Sequence, residues 1–380
     1  MHVLLYSRPF HPATGGIETV SLTLAVEIAA AGHRCTVVTE TAADGAMARA
    51  FPFAIERAPS WQRRLALARE ADIVHSNGAS LAMFLPARLA RRPFLWTHCG
   101  YQLVSVDGLG WVDGAPAPLS PLPSLRLHAR RHGARRAAVE AAKLALRIAV
   151  GHLVDRNVAI THWVAGRQPL PRQVVIYNPF PLGRFAQARA PRSPGQEKYD
   201  FLYVGRLVSE KGVSTLLHAL ARLNRRPGHR PATLLLVGDG ERRAALEELA
   251  RTLGVAAQAH FVGTKRDAAL VEAISQGAIA VVPSEWEEPM GGVALELLAA
   301  GRPLIVSERG GLVECVGDVA WSFPNGDAAA LAERMAAVLD DETLRRSKGE
   351  RAAEVLARFD ETKLTRAYLD LYEQILRERA

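Results

Sequence analysis

Along most of the chain, short runs of consecutive apolar residues alternate with stretches whose apolar positions recur at helical spacing. Continuous apolar runs read as strands buried on both faces of a parallel sheet, and the periodic stretches between them as helices packed on it. The series opens with an expected strand over 2–7, the loop R-P-F-H-P-A-T-G-G-I-E, a helix over 19–30 and, after Gly32, a strand over 34–39. Further strands are expected over 72–75 and 94–97, in N-V-A-I-T-H-W and in Q-V-V-I-Y. Residues 182–198, rich in Pro, Arg, Gly and Ala, break the pattern, which then restarts with D-F-L-Y-V, A-T-L-L-L-V, A-H-F-V, A-I-A-V-V and L-I-V-S. Helices are expected between them, over 213–223 and 241–253 for example, and a last one over 361–376. The economical fold is α/β: two Rossmann-like, doubly wound domains facing across a cleft. The expected division is 1–185, a linker at 186–198, a second domain at 199–362, and a helix at 363–380 crossing back to the first domain.

A chain of 380 residues with 49% hydrophobic composition has material for two cores. Cys35, Cys99 and Cys315 lie far apart without a C-x-x-C, which argues against a disulfide framework or zinc site and for a reducing compartment. No signal-peptide pattern opens the chain and no apolar stretch reaches the ~18 residues of a spanning helix, so a cytoplasmic location is expected. The net charge of +8 is uneven, with 22 Lys/Arg against 11 Asp/Glu in residues 1–190 and 25 against 28 in 191–380. The densest basic patch, R-L-H-A-R-R-H-G-A-R-R at 126–136, runs into a helical segment. Such a face suits peripheral contact with an anionic membrane or an anionic acceptor, and equally a solvated surface. Nucleic acid is not expected, because no aromatics interleave with the basic run.

The stretch richest in chemistry is 281–303, V-V-P-S-E-W-E-E-P-M-G-G-V-A-L-E-L-L-A-A-G-R-P. An apolar strand ends in a loop holding Glu285, Glu287 and Glu288; a helix is expected to start near Met290, with Pro289 in its first turn and Gly301 at its end. Eight helical residues would separate Glu288 from Glu296 by roughly 12 Å, too far for one small ring. They suit an elongated ligand gripped at two points, with the amides of Met290, Gly291 and Gly292 holding a phosphate at the helix start. A sugar, a diphosphate and a ribose in line fit that description. An acidic loop before an amphipathic helix, without ligand, is the plainer alternative. Gly15 and Gly16 offer a weaker phosphate site at another helix start.

Arg206 and Lys211 flank the loop after the strand 201–204, where two cations would neutralise a departing diphosphate. No D-x-D occurs anywhere, so a magnesium clamp has no evident ligands and neither metal nor cofactor is expected. His98 sits at a strand end, where a lone histidine is more often structural. The loop 103–123, centred on V-D-G-L-G-W-V-D-G, is long enough to cover an acceptor site or to be a surface flap.

With G-R-L-V-S-E-K-G, V-G-D-G, F-V-G-T, E-P-M-G-G-V-A-L-E-L-L-A-A-G-R-P and the early G-G-I-E in order, the whole chain resembles the retaining glycosyltransferases of family 4, which have the GT-B fold. The resemblance implies that Glu288 holds donor-sugar hydroxyls and Glu296 the ribose. Arg206 and Lys211, with the amides of Gly291 and Gly292, would bind the diphosphate. Backbone at Gly238, Gly240, Val262 and Thr264 would hold the base; Gly15 and Gly16 would approach the phosphates or acceptor, and His98 the donor sugar. Met290 stands where the family usually has an aromatic, and N-P-F-P at Asn178 replaces a more usual N-G turn. The implied activity is metal-independent hexosyl transfer, with retention, from a UDP- or GDP-linked sugar to a glycan, lipid-linked or small-molecule acceptor. A nucleotide-sugar epimerase and a non-catalytic sugar-nucleotide binder are the other readings of the same architecture.

Overall fold

The structure is a computed structural model that describes residues 1–13, 15–43, 50–189, 197–227 and 230–379. Its contacts divide the chain into two units, one of Met1–Gly110, Ala117–Pro181 and Phe359–Ala380, the other of Trp111–Pro116 and Leu182–Arg358.

The chain up to the division contains β1 His2–Ser7, α1 Gly16–Ala30, β2 Arg34–Thr39, β3 Ala54–Arg57, α2 Trp61–Glu70, β4 Ile73–Asn77, α3 Phe84–Leu89 and β5 Phe94–His98. There follow the short strands β6 Trp111–Val112 and β7 Ala115–Pro116, then α4 Pro121–His132, α5 Ala134–Leu153, β8 Arg156–Ala159, α6 His162–Arg167 and β9 Gln173–Val175. Seven of these strands form one parallel sheet in the order β3-β2-β1-β4-β5-β8-β9. One core cluster packs Leu4, Tyr6, Val74, Phe94 and Trp96 against Leu67, Val150 and Val154. Gly133, at φ 85, separates α4 from α5 within the basic patch 126–136.

The second series comprises β10 Tyr199–Val204, α7 Val213–Asn224, β11 Leu234–Val237, α8 Arg243–Thr252, β12 Ala259–Phe261, α9 Asp267–Ser275 and β13 Gly277–Val282. It continues through α10 Gly292–Ala299, β14 Leu304–Ser307, α11 Gly311–Val316, β15 Trp321–Phe323, α12 Ala328–Asp340 and α13 Glu342–Leu356; α14 Glu361–Arg379 ends the chain. The six strands are parallel, in the order β12-β11-β10-β13-β14-β15. Alternate residues of β10 and β13 feed two cores: Phe201, Tyr203, Ile279 and Val281 on one face, Leu202, Ala280 and Val282 on the other. Burial on both faces is why these strands read as unbroken apolar runs.

Residues 182–189, which carried no helical period, form a 3-10 helix, Leu182–Arg189, whose Phe185 and Ala188 are buried in the second unit's core. Of the expected linker at 186–198, residues 190–196 lie outside the described ones. Helix α14 packs in the first unit against α1 and the sheet. Tyr372 Oη and Thr97 Oγ1 lie 2.7 and 2.8 Å from the two ring nitrogens of His75, and Tyr368 stacks on its ring. Burial lowers the His75 pKa to about 3, so the ring is neutral.

Each sheet reverses its order once, between β1 and β4 in the first unit and between β10 and β13 in the second. Ligands of open parallel sheets bind beyond the carboxyl ends of the strands at such a reversal.

Candidate functional site

At the β10/β13 reversal, the loop after β10 and the loop after β13 are built against each other. Gly212, at φ 65, ends a 3-10 turn, Ser209–Lys211, and a Cβ there would fall 1.9 Å from the Pro283 carbonyl oxygen. The amide of Glu285 donates to the Glu210 carbonyl at 2.9 Å. On its other side the loop is held by Asn325, whose Nδ2 donates to the carbonyls of Ser284 and Glu285.

This frame brings Lys211 and Glu288 together. Lys211 Nζ donates to Glu288 Oε1 at 2.8 Å, Ser284 Oγ donates to the same oxygen, and Glu288 is only 4% exposed. The ammonium also lies 5.4 Å from the Trp286 ring centroid. The indole Nε1 of Trp286 is buried and has no partner among the described residues. The sequence reading assigned Lys211 and Glu288 to different parts of a ligand and did not pair them. Arg206 is different: its side chain is 66% exposed and reaches Glu210 Oε1 at 3.2 Å.

Helix α10 starts at Gly292 rather than near Met290. The cause is an extended backbone at Glu288, which bridges to Gly310 and accepts the Gly311 amide at 2.6 Å. Burial pushes the nearby Cys315 thiol up to about 12, and the Gly291 amide opposes the rise. The first helical amide is therefore that of Gly292, later than the sequence suggested. A Cβ on Gly291 would meet Leu312 Cδ1 at 2.5 Å, so tight protein packing alone accounts for that glycine. Met290 is buried. Farther along α10, Glu296 meets Arg184 Nη2 at 3.3 Å; burial raises the Glu296 pKa and Arg184 opposes the rise. Arg184 was missed because it falls in the Pro/Arg-rich segment that carried no pattern.

The loops after β11 and β12 close the same end of the sheet. The Gly238 amide donates to the Gly263 carbonyl at 2.9 Å, and a Cβ on Gly238 would sit 1.8 Å from the Gly205 carbonyl oxygen. A Cβ on Gly240 would lie 2.4 Å from the Leu207 carbonyl oxygen. Val262 packs on the core and donates its amide to the Leu236 carbonyl at 3.1 Å. These glycines are required by loop-on-loop contact before any ligand is considered.

In the first unit, Gly16 opens α1 with nothing near its Cβ position, whereas Gly15 faces the Glu18 carboxylate. His98, the last residue of β5, is buried. Asn157 Nδ2 donates to the carbonyls of Gly151 and Pro171, so its Oδ1 accepts from His98 Nε2 at 2.8 Å. Burial lowers the His98 pKa to about 4, leaving a neutral ring whose Nδ1 has no partner among the described residues. Beside it a buried chain runs from Cys99 Sγ to Asn77, from Asn77 Nδ2 to Ser21 Oγ, and from Ser21 to Ser7. Among the described residues no three His, Cys, Asp or Glu side chains group as metal ligands would, and no helix is long and apolar enough to cross a membrane.

Two doubly wound parallel-sheet units define a double Rossmann-like α/β protein. A model of the family described as glycosyl transferases group 1 matches residues 185–355. The 2-deoxystreptamine N-acetyl-D-glucosaminyltransferase of Streptomyces fradiae is 30% identical over 314 residues, covering 77% of this chain and 68% of that protein. Glycogen synthase of Mycobacterium tuberculosis is 41% identical over 154 residues, 40% of this chain, and the match spans only 36% of that protein. Among solved structures, Anabaena HepE in complex with UDP has a TM-score of 0.73 over 98% of this chain and 100% of that one; at 19% identity this is likeness of fold. The chain belongs to the group 1 glycosyl transferases and has the GT-B fold.

Proposed function

We propose that the protein is a retaining hexosyltransferase, moving a sugar from a UDP- or GDP-linked donor to an acceptor hydroxyl, without metal and with no cofactor beyond the donor. The observation that carries this reading is the Lys211–Glu288 pair at the β10/β13 reversal. A cation for a phosphate and a carboxylate for sugar hydroxyls, 2.8 Å apart, match the junction between a sugar and its diphosphate. Arg206, exposed beside them, adds a second cation, and the start of α10 adds free amides. The bond from the anomeric carbon to the β-phosphate oxygen breaks with its electron pair leaving on phosphate. Lys211 and Arg206 offset that charge while the acceptor oxygen bonds to the same face and passes its proton to the departing oxygen. The titration that tests this uses UDP, GDP and ADP with EDTA present. Binding of one nucleotide, weakened in Lys211→Ala, is expected; no binding by wild type, or by any of its sugar conjugates, overturns the reading. Isomerisation of the donor without transfer would instead mark an epimerase.

We infer the acceptor class from the first unit's surface. Val139, Leu146 and Leu153 are each more than half exposed along one face of α5, flanked by Arg136, Lys143 and Arg147. An apolar stripe edged by cations fits an anionic lipid surface, which favours a lipid-linked acceptor and peripheral contact from the cytoplasmic side. Sedimentation with phosphatidylglycerol vesicles should carry down wild type and leave Leu146→Glu in solution. Wild type remaining in solution at low salt removes the membrane from the proposal.

A further inference from the structure

We infer that Trp111 is a positioning residue for the loop that carries Arg206 and Lys211, reaching it through a hairpin that the first half of the sequence contributes to the second unit. Strands β6 and β7 pair Trp111 with Pro116 and Val112 with Ala115. The two residues between them, Asp113 and Gly114, have φ 50 and 78, the left-handed pair of a type I′ turn that Asp-Gly favours. The hairpin is thus a built element.

The Trp111 side chain, 6% exposed, donates its indole N–H to Ser209 Oγ at 2.9 Å. The Cβ position of Gly114 lies 4.0 Å from the Ser209 Cβ, so the turn of the hairpin also rests on Ser209. Ser209 opens the turn Ser209–Lys211. That turn's own bonds are long: the Lys211 amide to the Val208 carbonyl at 3.2 Å, and the Gly212 amide to the Ser209 carbonyl at 3.3 Å. Its far end is fixed by Gly212 against Pro283 and by the Glu285 amide on Glu210. Ser209 is the near end, and the indole N–H holds its side chain. With both ends held, the loop presents Arg206 and Lys211 in one arrangement, which lowers the ordering cost of binding a doubly ionised group.

The role rests on the reading of Arg206 and Lys211 as diphosphate ligands, so the test has one arm that needs no ligand. Trp111→Phe keeps an aromatic ring, smaller than the indole, and removes the N–H; Ser209→Ala removes the acceptor and serves if the first variant folds poorly. In the ligand-free protein, amides of residues 206–212 should exchange with deuterium several-fold faster in either variant and no faster in the double variant. In calorimetry with UDP and GDP, each single variant should lose about three- to tenfold in affinity, the double variant no more, and the thermal midpoint should hold. In turnover the effect should fall on KM for the donor rather than on kcat. Unchanged exchange over 206–212 overturns the clamp whether or not any nucleotide binds. Faster exchange with unchanged affinity overturns the positioning role, and failure of wild type to bind UDP, GDP, ADP or any of their sugar conjugates overturns the diphosphate reading on which that role rests.

Discussion

The strand ends at the two sheet reversals share a backbone plan and differ in chemistry. At β1/β4 the buried groups are neutral: Ser7, Ser21, Asn77 and Cys99 pass hydrogen bonds along a chain with no ion in it. At β10/β13 the buried pair is ionic, Lys211 on Glu288, and the exposed Arg206 reaches Glu210. A neutral network rigidifies the strand ends without creating a field. A half-buried ion pair costs desolvation energy that its own attraction barely offsets, and it can exchange partners with an incoming ion. On the function proposed above, the neutral end would take uncharged hydroxyls and the ionic end the diphosphate.

The largest test of that contrast is Lys211→Ala, for which transfer should fall about 10²- to 10³-fold if the ammonium stabilises the leaving group. The variant also leaves the Glu288 carboxylate buried beside Ser284 alone, so stability should drop by up to about 3 kcal/mol in urea titrations. Adding Glu288→Gln should recover that stability and not the turnover. Retained turnover in Lys211→Ala would remove the leaving-group assignment.

A second test turns on His75. Its folded pKa of about 3 lies below the unfolded value near 6.5, so the folded state binds fewer protons. Its neutral state stabilises the fold fully above pH 6.5, and that stability is lost as pH falls toward 3, at up to about 1.4 kcal/mol per unit. Urea titrations of wild type and His75→Gln between pH 7 and 4.5 should converge as the solution is acidified; parallel profiles would show that burial does not lower the pKa of the ring.

The smallest effect is expected at the neutral end. Ser21→Ala interrupts the chain between Asn77 and Ser7 and should cost about 1 kcal/mol in thermal unfolding. Nucleotide affinity should not change. A loss of affinity there would mean that the two strand ends are not chemically independent.

The buried strands were legible because each is apolar on both faces, and the Glu288 to Glu296 segment because carboxylates, Pro and Gly cluster at a strand end. The edge strand β3, A-I-E-R, is half-exposed and has no apolar run to reveal it. The hairpin at 111–116 did leave a signal, the Asp-Gly at 113–114, which was absorbed into a glycine-rich loop. The start of α10 was misplaced because Pro289 suits a first helical turn, while the bridge from Glu288 to Gly310 depends on residues 22 positions apart. Pairings at long separation, Lys211 with Glu288 or Arg184 with Glu296, have no local signature.

The helix α14 sets an order of events during synthesis. His75 waits for Tyr372, made 297 residues later, which at ~5–20 residues per second is a delay of roughly 15–60 s. Once residue 358 is made, the second unit has all of its residues while the first still lacks the helix that covers His75 and Thr97. The first unit, although begun earlier, therefore becomes protease-resistant after the second, and a ribosome-stalled chain ending near residue 358 should be cut within the first unit.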